Sequence, residues 1–384
     1  MSETFPVDSM KLNIICFDVP FPADYGGAME EFYKLKALHA LGVKIYLHCF
    51  IYGDRSPQLE LEKYCEEVYY YTRKRRLKDL FSNLPFIVQS RKQTALLNNL
   101  CDNDYPILFD AMHTAGFLDH PDLKHRKKIV RLHNIEWIYY NTLLSSSYTL
   151  RDKFFYFFEY KKLKKFDNCL QHADILLCLS QYDFEYYKEK FPDKIVELIY
   201  VFHENTELKV QPGKGDYILY HGNLSVLDNY TAVIDLLSNH LKGYQKRIVL
   251  AGKNPGSLLV DFIKDKPNIE LIANPTQQAL TELIRNAQIC FAIAANPSGI
   301  KLKLINSLYS GRFIFGNNSA ISGSGLEEAV INIDQQPEVI TDIVNEYMLK
   351  EFTDADLQGR KELLAEKYNN TKNAESLTRL IFSH

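Results

Sequence analysis

A chain of 384 residues is longer than one hydrophobic core usually serves, so two domains are expected. Hydrophobic residues at 46% can fill both cores, and a formal charge of −3 argues against a general polyanion binder. The seven cysteines are scattered and form no CxxC pair, which disfavours a zinc or disulfide framework and fits the reduced thiols of a cytosolic protein.

Residues 1–9 read as a tail without the basic and apolar regions of a signal peptide, and no later stretch has the length of an apolar membrane span. A strand over 12–18 (LNIICFD) leads into a turn-rich loop carrying Gly26 and Gly27, then an amphipathic helix over 29–41, a stop at Gly42 and a strand over 43–50. Paired glycines permit close backbone approach to a phosphate or sugar; the alternative is a plain strand-to-helix turn. GxGxxG is absent, so the dinucleotide fingerprint fails. After a helix and strand over 60–71 comes the basic run at 73–78, beside Leu80, Phe81, Leu84 and Phe86. That pairing suits either an anionic bilayer or a solvated loop flanked by core residues. Strands over 106–110 and 128–132 end near His113 and His133, at the edge where open α/β sheets bind ligands. A long helix over 151–172, strands over 173–180 and 193–202, and a helix from 181 complete the first half.

The Pro- and Gly-bearing stretch 207–215 (ELKVQPGKG) is the expected linker. A strand over 216–221 then runs into Gly222 and Asn223, followed by a helix over 229–241, strands over 247–251 and 268–272, and a helix over 277–286. An apolar strand over 289–295 breaks at Pro297, Ser298 and Gly299. From 301 to 310 the apolar residues Leu302, Ile305, Leu308 and Tyr309 recur at helical spacing, and Gly311 is expected as a left-handed stop. This helix would leave Lys303, Asn306, Ser307 and Ser310 on a polar face, for a ligand or for water. Lysines at a positive helix end are unfavourable unless an anion offsets them. A strand over 312–317, a helix over 337–349 and a long helical tract over 353–382 follow.

GIKLKLINSLYSGRF at 299–313 and GSGLEE at 323–328, with HNIEW at 133–137, QHADILLCLSQYD at 171–183 and YHGNLSVLDNYTAV at 220–233, resemble the GT-B glycosyltransferases. The likeness is to the retaining family 4 group and its bacterial surface-glycan transferases. It implies an α/β fold of two Rossmann-like doubly wound parallel-sheet domains facing a cleft. An acceptor-side domain would occupy 10–206 and a nucleotide-sugar domain 207–365, with a C-terminal helix over 366–384 packing back on the first. The implied reaction moves a sugar, with retention, from a UDP- or GDP-sugar, GDP-mannose among the candidates, to a glycan or lipid-linked acceptor. The implied setting is cytoplasmic, at the inner face of the plasma membrane where the acceptor is lipid-linked.

By the same resemblance Gly26, Gly27, Gly222 and Asn223 would approach the donor, Ser298, Gly299, Ile300 and Lys301 would meet its diphosphate and sugar, and His113 and His133 would lie near the reacting sugar. The family's two glutamates fall on Ser298 and Asn306, and the Arg and Lys expected after the first strand of the second domain are missing, with Asn223 and Asp228 in that region. Lys301 and Lys303 are then the residues expected to neutralise charge, and Asn306 can both donate to and accept from a ribose. No cofactor, metal or nucleic-acid partner is expected, the nucleotide-sugar being substrate. Two alternatives stay open: a non-catalytic subunit that binds nucleotide-sugar or a partner enzyme, and a nucleotide-sugar epimerase.

Overall fold

The computed structural model describes residues 10–147, 149–335, 337 and 340–383, without the side chains of 227 and 228. The tail at 1–9 and the side chain of Asp228 therefore lie outside the described residues. The chain divides into two compact units: 1–141 with 153–204 and 368–384, and 142–152 with 205–367.

The first unit is built on seven parallel strands: β1 (Lys11–Cys16), β2 (Lys44–Ile51), β3 (Glu67–Thr72), β4 (Ile107–Asp110), β5 (Lys128–Leu132), β6 (Ile175–Cys178) and β7 (Ile195–Leu198). They run in the order β3-β2-β1-β4-β5-β6-β7. The second has six, β8 (Ile218–Asn223), β9 (Ile248–Lys253), β10 (Ile269–Ala273), β11 (Ile289–Ala292), β12 (Phe313–Gly316) and β13 (Ile331–Asn332), in the order β10-β9-β8-β11-β12-β13. Central strands such as β4, β6 and β11 are buried along their whole length, as continuous apolar runs in a two-faced parallel sheet must be. In each sheet the order reverses beside the first strand, between β1 and β4 and between β8 and β11. A crevice opens at such a switch point, on the carboxyl side of the strands. Register fixes it: Ile15 lies opposite Phe109, and Tyr220 opposite Phe291.

Several expected elements change on folding. The helix expected over 151–172 is α-helical only over Leu150–Phe166 and tightens to a 3₁₀ turn over Asp167–His172. The strand expected over 193–202 pairs only over Ile195–Leu198, and the chain continues as buried coil at Ile199, Val201 and Phe202. The tract over 353–382 is two helices, Asp354–Lys367 and Asn370–Phe382, because the Asn369 side chain accepts the N–H groups of Thr371 and Lys372 and starts a new helix. Helices over Glu136–Ser146 and Ser257–Ile263 were not expected. The Asn370–Phe382 helix belongs to the first unit, where Ala374, Leu377 and Ile381 join the core of Phe32, Leu35 and Leu38 on the Gly26–Ala40 helix.

Gly42 takes the left-handed φ of 82° expected after a helix. Gly311 does not: at φ −99° and ψ 161° it is extended. Its reason is space, since a Cβ there would stand 2.9 Å from Cys290 Sγ and 3.0 Å from the Ser307 carbonyl oxygen. Among the described residues no helix is long and apolar enough to cross a membrane.

Candidate functional site

At the β1/β4 edge of the first unit, the sequence delivers charge into the protein interior. Glu30, Glu31 and Lys34 from the Gly26–Ala40 helix, Asp110 from β4 and Arg131 from β5 are all buried. Lys34 pairs with Asp110 and lies 3.5 Å from Glu30; Arg131 pairs with Glu30 and also donates to the Ile199 and Tyr200 carbonyls at 3.2 and 3.1 Å. His133 Nε2 is 2.7 Å from the second oxygen of Asp110. Burial alone would raise the Asp110 and Glu30 carboxyls, but Lys34 and His133 hold Asp110 below the usual carboxylate range, and Arg131 and Lys34 do the same for Glu30. Glu31 goes the other way. Burial and the nearby Asp110 charge raise it well above that range, so it is the protonated member of the group. Its Oε1 accepts from the Phe17 N–H at 3.1 Å, and Oε2 has no hydrogen-bond partner.

His113 follows Ala111, whose φ of 64° and ψ of 157° put a non-glycine residue in a region that side chains rarely adopt. The backbone there is held by Ala111 N–H to the Arg131 carbonyl at 2.8 Å and by Thr114 Oγ1 to the Ala111 carbonyl at 3.1 Å. His113 Nε2 lies 3.4 Å from Glu136, while Nδ1 is buried without a partner. Burial lowers its pKa despite Glu136, so the ring is neutral near pH 7. Phe17 stands edge-on to both His113 and His133, at 5.1 and 5.7 Å. Gly26 and Gly27 begin the adjacent helix, which has no side-chain cap and no acid in its first turn. A Cβ on Gly27 would meet Phe17 at 2.5 Å, so this glycine admits the ring.

Cys16, Glu31 and Asp110 offer ligand atoms within 4.8 Å of one another. Their chemistry does not suit a cation. Both Asp110 oxygens are engaged by Lys34 and His133, and burial keeps the proton on the Cys16 thiol as it does on Glu31.

In the second unit the loop after β11 folds on itself. Asn296 accepts from Ser298 N–H at 3.1 Å and donates to the Ser298 carbonyl at 3.2 Å. Gly299 takes φ 73°, and Lys301 turns its ammonium back to the Ser298 and Gly299 carbonyls at 2.6 and 3.4 Å. Ile300 completes the loop, half-buried. Lys303 spans the switch point: it donates to Tyr220 Oη on β8 at 3.1 Å, to Asn229 Oδ1 at 2.9 Å and to the Ile293 carbonyl just past β11. These oxygens fix the ammonium in place. Gly222 and Asn223 close β8 beside it, with the Asn223 carbonyl accepting from Asn229 at 3.0 Å.

The polar face expected on the helix over 301–310 is not open. Ser307 and Ser310 are buried, Ser307 bonding His221 Nε2 at 2.9 Å, and Asn306 accepts from Asn205 at 2.9 Å. The Leu302–Ser310 helix is enclosed on its far side too, where Lys209 and Val210 N–H groups bond the Tyr309 carbonyl. Of that face, only Lys303 and Asn306 stay half-buried.

Thus Gly26, Gly27, His113 and His133 gather at the β1/β4 edge, and Gly222, Asn223, Ser298, Gly299, Ile300, Lys301, Lys303 and Asn306 at the β8/β11 edge. The residues missed from sequence are Glu30, Glu31, Lys34, Asp110 and Arg131. Arg131 inside the apolar strand KIVRL was the available signal.

No family model matches the chain. A Klebsiella pneumoniae protein, described as an uncharacterized 44.6 kDa protein in the cps region, is 25% identical over 347 residues, covering 85% of this chain and 88% of its own. Among solved structures, that of TarM aligns over 99% of this chain and 100% of its own with a TM-score of 0.66 at 11% identity. The chain has the GT-B fold. An Escherichia coli structure described as trehalose-6-phosphate bound with UDP-2-fluoro glucose aligns over 97% of this chain and 98% of its own, TM-score 0.61, 10% identity. Anabaena HepE in complex with UDP-glucose aligns over 97% and 96%, TM-score 0.56, 13% identity. At these identities the likeness carries fold; function has to be argued from the site.

Proposed function

We propose that this GT-B chain is a glycosyltransferase that takes a sugar from a nucleotide-diphosphate sugar. The observation that carries the proposal is Lys303, a cation fixed at the β8/β11 switch point beside the uncapped start of the Leu302–Ser310 helix. A helix N-terminus and a fixed lysine together favour a diphosphate and would stabilise it as a leaving group. Solved relatives of the same fold described with UDP-glucose and UDP-2-fluoro glucose favour a UDP-sugar over a GDP-sugar. Ser298, Gly299, Ile300, Lys301 and Asn306, with Gly222 and Asn223, are the further donor-binding candidates. In the first unit we infer that His113 and His133 serve the transfer chemistry, with Gly26 and Gly27 toward the phosphates. Retention and a glycan or lipid-linked acceptor in surface polysaccharide synthesis complete the reading; the relative from a cps region supports that setting.

The test is a thermal-shift panel of UDP-, GDP-, dTDP- and CMP-sugars on the intact chain. A ligand at a hundred times its Kd should stabilise it by about 2.7 kcal/mol. One nucleotide series should stand out, and Lys303→Met should abolish the shift and lower transfer by about a hundredfold or more. No shift with any donor, or an unchanged shift in Lys303→Met, overturns the proposal. One observation favours a second reading: with Ser298 and Asn306 where the family has carboxylates, and with Asn306 tied to Asn205, a subunit that binds without turnover would show the shift and no transfer.

A further inference from the structure

The basic run at 73–78 and the helix Leu150–Phe166 share a feature that neither the core nor the candidate site uses. Leu84 is half-buried and Phe86, Ile87 and Val88 are core residues, but Leu77 and Phe81 are 82% and 89% exposed. The helix carries the same anomaly. Its inner face packs Phe155, Tyr156, Leu163 and Phe166 with Ile87, Val88 and Tyr140, while Phe154 and Phe158 stand 64% and 55% exposed, with Phe157 beside them. Phe154, Phe157, Phe158, Lys161 and Lys165 recur at three- and four-residue steps and so share one outward face. A helix packed on a globular core normally turns polar residues outward. Here it turns phenylalanines.

The two segments adjoin. Lys162 Nζ donates to the Leu80 carbonyl at 2.7 Å, and Glu159 accepts the Phe86 N–H at 2.6 Å, so the turn carrying Leu77 and Phe81 lies against the helix carrying Phe158. The charge around these side chains has one sign. Residues 73–83 and 153–166 hold seven lysines and three arginines against two acids, Asp79 and Glu159, both buried, in a chain whose net charge is −3. Protein interfaces are depleted of lysine at their centre, whereas phenylalanines ringed by lysines suit the boundary between headgroups and acyl chains.

We propose that the Leu77–Phe81 turn and the outer face of the Leu150–Phe166 helix form a docking surface for an anionic lipid bilayer. The five apolar side chains enter the headgroup region, and the lysines and arginines around them meet lipid phosphates. This holds whatever reaction the chain performs.

The experiment is co-sedimentation of the intact protein with vesicles of phosphatidylcholine alone and of phosphatidylcholine mixed with phosphatidylglycerol. Wild type should bind the mixed vesicles, bind phosphatidylcholine far more weakly, and lose binding as salt is raised. Phe154→Ser with Phe158→Ser should weaken binding by at least about tenfold. Lys161→Gln with Lys165→Gln should weaken it by about fivefold per cation removed. Both pairs are exposed, so the melting temperature and any nucleotide-sugar shift should stay at wild-type values. Failure of wild type to bind the mixed vesicles overturns the proposal, as does equal binding by both variants. A wild-type dimer in sedimentation velocity that the phenylalanine variant dissociates would also overturn it, assigning the face to a second copy.

Discussion

Glu31 decides how the buried charge of the first unit balances. With Glu30 and Asp110 held as anions against Lys34 and Arg131, a third carboxylate would be an unpaired buried charge, and Glu31 avoids this by keeping its proton. A carboxyl whose pKa is raised on folding holds a proton that the unfolded chain has lost, so stability falls as pH rises above the ordinary carboxylate range. Glu31→Gln removes that loss. The variant should match or exceed wild type in urea unfolding at about pH 8, with its advantage shrinking toward about pH 4; an advantage that grows on acidification would show Glu31 ionised. Asp110→Asn should do the opposite, removing the carboxylate charge that faces Lys34 and His133, at a cost of roughly 3–5 kcal/mol in the same unfolding series. None of this was legible in sequence beyond Arg131. A Glu-Glu pair at a helix start looks solvent-facing until the helix is laid on a sheet, and only tertiary packing removes the water.

At the scale of the element, the Leu302–Ser310 helix shows where periodicity informs and where it stops. Its apolar spacing predicted the helix and its strand neighbours well. The same spacing assigned Ser307 and Ser310 to an open face, and both are buried, because a serine hydroxyl that finds a partner, as Ser307 finds His221, can pack like a small apolar group. Gly311 teaches the same point, since sequence reads the glycine and not the Cys290 sulfur beneath it. Gly311→Ala should therefore cost about 1–3 kcal/mol by overpacking, with no left-handed strain to add. A thermal melt tests this, and Gly311→Ala combined with Cys290→Ala should recover part of the loss. The Asn370–Phe382 helix obeys core rules as well: Leu377 is fully buried, and Leu377→Ala should cost about 2–5 kcal/mol.

For the whole molecule, both units carry histidines that are buried and neutral. In the first, His48 lies between Tyr71 Oη and Asn13 Oδ1 and is pushed to about 3 by burial and Arg126, and His203, against the Tyr368 carbonyl, is pushed to about 4 by burial. In the second, burial and Lys303 push His221 to about 3. A histidine whose pKa is lowered on folding leaves the unfolded chain as the better proton binder, so stability is full above about pH 6.5 and is lost as pH falls toward the folded values. Each of the three should remove about 2 kcal/mol between pH 7 and pH 5. Glu31 works against them over part of that window, because its raised pKa makes the fold gain as pH falls. The combination that separates the two is Glu31→Gln measured across it. With the opposing slope removed, the melting temperature of the variant should drop more steeply from about pH 7 to pH 5 than that of wild type. A flat profile in Glu31→Gln would mean that these histidines are charged in the folded state.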